Sequence, residues 1–153
     1  MTEGGDLPRG VLRGGTFHFP VRVYYEDTDQ QGIVFYANYL RYFERGRTEY
    51  LRHLDAAPAK VEAQEGLVFV VARLDISYHR SATLDQVLDV QTSVAKLGRV
   101  KLLMDQAIYC EGQLVTSAKV TVAVVDRQGR PSALTPDLQA RFTAVSPASR
   151  HSS

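Results

Sequence analysis

The spacing of hydrophobic residues changes twice along the chain, and each change marks a predicted element. Residues 17–25 alternate, with Phe17 and Phe19 on one face and His18 on the other. This period of two is typical of a β-strand. Over residues 36–54 the apolar side chains instead recur every three or four positions, which predicts one long amphipathic helix. The acidic stretch between these two segments is therefore predicted to be a loop.

The rest of the chain returns mainly to the strand period. Four segments either alternate or are rich in β-branched residues, namely residues 67–79, 86–98, 99–110 and 114–126. Short helices are predicted near residues 58–66 and 136–145. Long strands that follow one another through short turns pair antiparallel, so we predict an α+β fold in which a sheet of about five strands covers the long helix. Such a sheet has an open edge, which a partner subunit often closes.

Length and composition indicate a single domain. The chain has 153 residues, of which 44% are hydrophobic and 23% charged, and this is enough apolar material for one core. We assign residues 16–145 to the domain. Residues 1–15, which are rich in Gly, Arg and Pro, are predicted to be a flexible N-terminal segment, and residues 146–153 a flexible tail.

Charge and cysteine content restrict the partners and the location. The formal net charge is +1, so no overall field attracts nucleic acid or an anionic membrane surface. Cys110 is the one cysteine, which excludes an intrachain disulfide and fits a reducing compartment. The stretch MTEGGDLPRGVLRGG lacks the apolar region of a secretory signal, and no segment approaches the roughly 20 apolar residues of a membrane span. We therefore expect a cytoplasmic protein that neither binds nucleic acid nor inserts into a membrane.

The acidic loop is the strongest candidate for chemistry. Glu26, Asp27 and Asp29 precede Gly32 and the predicted helix. One interpretation is structural, because carboxylates cap helices and glycine accepts a positive φ. The other is catalytic: free N–H groups of the first helical turn bind a substrate carbonyl, and a carboxylate just upstream supplies the base or nucleophile. The loop therefore has the parts needed for acyl transfer without Ser or Cys.

The segment YYEDTDQQGIVFYANYLRYFERGR resembles the signature of hotdog-fold acyl-CoA thioesterases of the 4-hydroxybenzoyl-CoA thioesterase class, especially the branch associated with the bacterial Tol–Pal envelope system. A second segment, SYHRSATLDQVLDV, is similar to another stretch of that family, and the resemblance covers about residues 17–140. It implies a sheet wrapped around a central helix and hydrolysis of an acyl-CoA thioester to a carboxylic acid and CoA, with no metal or redox cofactor. It also implies a homodimer with active sites at the subunit interface, paired again into a homotetramer.

The resemblance implies roles for individual residues. The second Asp of the D-T-D motif, Asp29, is the expected catalytic carboxylate, and the backbone N–H of Tyr36 is expected to polarise the thioester carbonyl. Many Tol–Pal relatives have His at the position of Tyr36, which leaves the substrate preference open. Ser81 stands where many relatives have Pro, and Arg99 matches a family arginine near the CoA nucleotide. The expected substrate-binding residues are Gly32, Phe35, Ser81 and Arg99.

Several alternatives remain at this point. Glu44 and Glu49 are rival carboxylates, because another class of hotdog thioesterases uses a helical Glu. A non-catalytic module that binds acyl chains or an acyl carrier protein is a second function, and an acyl carrier protein could equally deliver the acyl group. A hydratase or dehydratase is a third possible function. Its chemistry requires a His paired with an acid, and the acidic loop has no His. Because the chain retains Asp29 and Gly32, we favour a thioesterase.

Overall fold

A computed structural model describes residues 9–145 of the chain. It has six strands, β1 to β6, with the bounds Val11–Arg13, Thr16–Arg22, Val68–Tyr78, Val87–Leu97, Lys101–Cys110 and Gln113–Val125. They form one sheet in the order β1-β2-β4-β5-β6-β3, in which every neighbouring pair is antiparallel. The predicted α+β class is therefore confirmed, and the four long strands of the second half lie where the sequence predicts them.

The helices also follow the prediction. They are α1 (Asn38–His53), α2 (Pro58–Glu65) and α3 (Pro136–Val145). The long helix α1 buries large aromatic side chains against the sheet, among them Tyr42, Phe43 and Tyr50. The helix approaches the sheet closely at Gly46, where an added Cβ would lie 2.6 Å from Cγ1 of Val90. Glycine at this position thus lets the central helix settle on β4.

The sheet has six strands rather than about five because of β1. Residues 11–13 lie in the segment expected to be flexible, but they pair with β2 in the register Leu12 to Phe17. Gly14 and Gly15 connect the two strands and have φ values of 60° and 87°, as a tight two-residue hairpin requires. The expected boundary at residue 15 is therefore corrected. Residues 1–8 and the predicted tail at 146–153 lie outside the described residues.

Strand β3 forms the open edge that the sequence predicts. Within residues 9–145 it pairs on one side only, with β6. Several of its large apolar side chains are exposed: Val70, Val71, Leu74 and Tyr78. An exposed apolar edge strand is a template for pairing with another chain.

Candidate active site

Asp29 opens a tight turn within the acidic loop, which we define as residues 26–35. Its Oδ1 accepts the backbone N–H of Gln31 at 2.8 Å and that of Ile33 at 3.4 Å. The backbone N–H of Asp29 donates to the carbonyl of Ile33 at 2.9 Å, and Gly32 adopts a φ of 80° inside the turn. The carboxylate is exposed, and no donor within residues 9–145 contacts its Oδ2. One oxygen of Asp29 is thus fixed while the other is free.

The neighbouring carboxylate, Asp27, has a different role. It is buried, and its Oδ2 accepts the backbone N–H of Tyr24 at 2.9 Å. Its carbonyl accepts the N–H of Phe35 at 3.1 Å and the side-chain amide of Asn38 at 2.8 Å. Burial and the negative charge of Asp27 raise the pKa of the Tyr42 hydroxyl. The structural interpretation of the acidic loop therefore applies to Asp27, which ties the loop to α1.

The start of α1 presents two free hydrogen-bond donors. The N–H of Asn38 donates to the carbonyl of Phe35 at 2.8 Å. The N–H groups of Tyr36 and Ala37, just before it, have no acceptor in the part of the chain that the structure describes. Unpaired N–H groups at a helix start can bind a carbonyl oxygen and stabilise negative charge on it.

A short hairpin connects the carboxylate to these donors. A bridge joins Thr28 to Val34, so that Asp29 follows one side of the bridge and Tyr36 lies two residues beyond the other. A second segment, residues 82–84, runs along the loop. The carbonyl of Ala82 accepts the N–H of Val34 at 2.8 Å. Ser81, one of the predicted site residues, precedes this segment directly in the sequence. It lines a polar cleft of about 470 Å³.

Exposed aromatic rings flank the free donors. Phe35 and Tyr36 lie 4.9 Å apart between ring centroids, and Tyr36 meets Tyr78 edge-on at 6.0 Å. All three side chains are about half exposed or more, at 48%, 62% and 47%. Tyr78 is not among the predicted site residues, although it stands in the second family-like segment, SYHRSATLDQVLDV. The three rings form an apolar surface beside the helix start.

Arg99 lies far from Asp29 in the same subunit. Strand β4 begins next to the acidic loop, because the segment just before it contacts the loop: the N–H of Leu84 donates to the carbonyl of Gly32 at 3.2 Å. It then runs for 11 residues away from the loop, and Arg99 follows its end. At about 3.3 Å per residue, this places the arginine roughly 35 Å from the loop. Its side chain is exposed, and its carbonyl accepts the N–H of Leu134 at 3.0 Å. One subunit alone does not bring Arg99 and Asp29 together.

The rival groups are placed less favourably than Asp29. Glu44 and Glu49 lie on α1 about two turns or more beyond the free N–H groups. Glu49 forms an ion pair with Arg52 at 3.4 Å. Cys110 is buried, and burial raises the pKa of its thiol. Among residues 9–145, no group of three or more His, Cys, Asp or Glu could hold a metal ion. The helices of that same range include none that is long and apolar enough to cross a membrane.

Comparisons with known proteins identify the relatives of this chain. The profile of the thioesterase-like superfamily matches residues 23–142. The acyl-CoA thioesterase YbgC of Haemophilus influenzae is 42% identical over 127 residues, which are 82% of this chain and 93% of that protein. The crystal structure of a probable thioesterase from Bartonella henselae has a TM-score of 0.72 and 34% identity, and covers 77% of this chain and 98% of its own. A 4-hydroxybenzoyl-CoA thioesterase structure shares the fold, with a TM-score of 0.77 at 20% identity over 84% of this chain and 99% of its own.

Proposed function

We propose that this chain, which belongs to the thioesterase-like superfamily and is an acyl-CoA thioesterase, hydrolyses its substrate with the carboxylate of Asp29 and the backbone N–H of Tyr36. One observation carries this assignment: a carboxylate with one free oxygen stands in the short hairpin that leads directly into a helix start with free donors. Carboxylates act as bases or nucleophiles when they stand beside a polarised carbonyl.

The proposed reaction begins when the thioester carbonyl accepts the N–H of Tyr36. Negative charge that develops on the carbonyl oxygen is then stabilised, with the N–H of Ala37 as a second donor. Oδ2 of Asp29 either takes a proton from the attacking water or attacks the carbonyl carbon itself. In the second route, water later hydrolyses the mixed anhydride. In both routes a C–O bond forms and the C–S bond breaks, so that CoA leaves as a thiolate. The thiolate takes up the proton held by Asp29 in the first route and a proton from solvent in the second, which gives the free thiol. No cofactor enters either route.

Two further residues support substrate binding at this place. A Cβ added to Gly32 would meet nothing within 4 Å, so the backbone there is open to a substrate. Phe35, directly before the free donors in the sequence, offers an exposed ring. We propose that the acyl group packs on the aromatic surface formed by Phe35, Tyr36 and Tyr78. The neighbouring cleft at Ser81 is the proposed path of the pantetheine arm.

We also propose a homodimer in which β3 pairs with the β3 of a second copy. The exposed apolar side chains of this edge support the pairing. The C-terminal end of β3 lies at the acidic loop, where Tyr78 contacts Tyr36. Its N-terminal end lies near Arg99, which stands in the turn between β4 and β5. Val68 at the start of β3 pairs with Val125, and the N–H of the neighbouring Val124 donates to the carbonyl of Val100. Antiparallel pairing of two β3 strands would therefore bring Arg99 of one subunit toward Asp29 of the other, where it can bind CoA phosphates.

The location that we propose is the cytoplasm. Its support is chemical: the single cysteine, Cys110, is buried as a free thiol, as is ordinary in a reducing compartment.

A thiol-release assay tests the proposed function. The purified protein is incubated with a panel of aliphatic and aromatic acyl-CoAs, and free CoA is measured with a thiol reagent. We expect turnover of at least one class by the wild-type protein, and loss of that turnover in Asp29→Asn. Binding of acyl-CoA without release of thiol across the whole panel would favour the non-catalytic alternative.

A further inference from the structure

The hydroxyl of Tyr39 links the central helix to the segment at residues 82–84. Tyr39 lies in the first turn of α1 and is 2% exposed. Its hydroxyl oxygen accepts the backbone N–H of Ala82 at 3.0 Å. Ala82 is itself fully buried, at 0% exposure. A buried N–H without an acceptor is strongly disfavoured, so this bond holds Ala82 in place.

From Ala82 the contacts continue into the acidic loop. The carbonyl of Ala82 accepts the N–H of Val34 at 2.8 Å, and the N–H of Leu84 donates to the carbonyl of Gly32 at 3.2 Å. Thr83, between them, forms a bridge with Ile33. Residues 82–84 and the end of the acidic loop are therefore paired like two short antiparallel strands.

Ile33 is also the residue that closes the turn of Asp29. Its carbonyl accepts the N–H of Asp29 at 2.9 Å, and its N–H donates to Oδ1 of the same residue at 3.4 Å. The Tyr39 hydroxyl is thus connected to the carboxylate by hydrogen bonds to Ala82 and from Ala82 to Val34, by the peptide link from Val34 to Ile33, and by the hydrogen bonds of Ile33 to Asp29.

We propose that Tyr39 is a positioning residue for Asp29, and that its hydroxyl fixes the orientation of the carboxylate through residues 82–84. This inference rests on the proposed function, in which Asp29 acts on the thioester. Tyr39 does not touch the reacting atoms. Its loss would let the turn of Asp29 shift relative to the free N–H groups at the helix start, and a shift of about 1 Å can lower a rate about a hundredfold.

The ring of Tyr39 has a separate, structural role, so a test of the hydroxyl must use a variant that retains the ring. It packs edge-on against Tyr42 at 6.0 Å and lies 5.9 Å from Tyr78. Tyr39→Phe retains this ring and removes the hydroxyl alone. The matched control is Tyr50→Phe on the same helix: Tyr50 is also fully buried, and its hydroxyl has no hydrogen-bond partner within residues 9–145.

Kinetics of these variants test the positioning role. We expect Tyr39→Phe to lower kcat by about tenfold to a hundredfold, while KM changes by less than about twofold, because the acyl-CoA binding contacts remain. Tyr50→Phe should retain the wild-type kcat. In an Asp29→Asn background, Tyr39→Phe should cause no further loss, since it acts only through that carboxylate. A wild-type kcat in Tyr39→Phe, or an equal loss in the Asp29→Asn background, would overturn the proposal.

Amide hydrogen exchange gives a readout that does not depend on activity. In Tyr39→Phe the N–H groups of Ala82, Val34 and Leu84 should exchange faster, while those in the middle of α1 keep their protection. Unchanged exchange at all three positions would show that the hydroxyl does not hold the loop. If instead exchange rises but the wild-type protein hydrolyses no acyl-CoA, the proposed function fails and the loop contact stands.

Discussion

Oδ1 of Asp29 accepts the backbone N–H of Gln31 at 2.8 Å, whereas Oδ2 meets no donor within residues 9–145. The two oxygens of one carboxylate thus have different tasks, since one orients the side chain and the other is available to substrate or water. An amide oxygen can accept the same N–H. The orientation of this side chain therefore does not depend on its charge, and the charge can be removed separately.

Asp29→Asn should retain the fold and lose most hydrolysis. The asparagine oxygen can keep the bond to Gln31, but the side chain loses its basicity and its nucleophilic oxygen. We expect kcat to fall by about a hundredfold or more, the typical contribution of a positioned base. Thiol release measures kcat, and thermal unfolding checks the fold. A folded variant with near-native kcat would instead direct attention to Glu44 or Glu49.

Arg99→Ala should raise KM for acyl-CoA with little change in kcat. If the arginine binds a CoA phosphate, it contributes equally to the ground state and the transition state. A charge-assisted hydrogen bond of about 1.5–3 kcal/mol corresponds to a rise of about tenfold to a hundredfold. The effect should shrink at high salt and nearly vanish with an acyl-pantetheine thioester, which lacks the nucleotide. An equal loss of kcat/KM on both substrates would indicate a structural role.

Mixed dimers test whether Arg99 and Asp29 of one site come from different subunits. A dimer of one Asp29→Asn subunit and one Arg99→Ala subunit would contain one site with both changes and one intact site. Such dimers, purified with two affinity tags, should show the wild-type KM and about half the wild-type kcat. If both residues of a site came from one chain, no intact site would form, and the wild-type KM would not be recovered.

Leu74→Lys should dissociate the protein and abolish activity. Leu74 is 38% exposed on the open edge strand β3, and a lysine there opposes pairing with a second copy. The matched control is Val11→Lys, which places the same charge on the other edge strand, β1, at a side chain that is 49% exposed. Light scattering gives the mass, and thiol release gives the activity. A Leu74→Lys monomer that keeps full activity would contradict the proposed interface.

Gly46→Ala should destabilise the protein although alanine favours helices. The helix gains about 1 kcal/mol from the change, but the new Cβ would lie 2.6 Å from Cγ1 of Val90 and 3.2 Å from Oγ1 of Thr92. Overpacking of this kind costs about 1–3 kcal/mol, so we expect a net loss in the free energy of unfolding measured with denaturant. The loss should be smaller in a Val90→Ala background, which makes room. A net gain in stability would show that β4 shifts at little cost to make room for the added Cβ.

The sequence predicts an element well where its hydrophobic period extends over many residues. It fails where an element is short, and where a contact joins residues that are far apart in the chain. Helix α1 and strands β4 to β6 carry enough residues for the period to be clear, whereas β1 has three residues and depends on a glycine turn. Asp29 stands in a contiguous motif. The bond between Tyr39 and Ala82 joins residues 43 positions apart, and no local pattern predicts it. The position of Arg99 at the opposite end of the sheet likewise depends on strand direction. The Tol–Pal association, a homotetramer and an acyl-carrier-protein donor stay predictions.

The strand order has a consequence for how the chain folds during synthesis. Strand β3 leaves the ribosome before β4 and β5, but its partner in the sheet is β6, the last of the six strands within residues 9–145. The apolar side chains of β3 therefore remain unpaired until about residue 125 has emerged. Until then, α1 packs against an incomplete sheet. Such late, long-range pairing slows folding and exposes aggregation-prone intermediates. A chain that ends at Gly112 lacks β6 and should accordingly be degraded by protease at concentrations that leave the 153-residue chain intact.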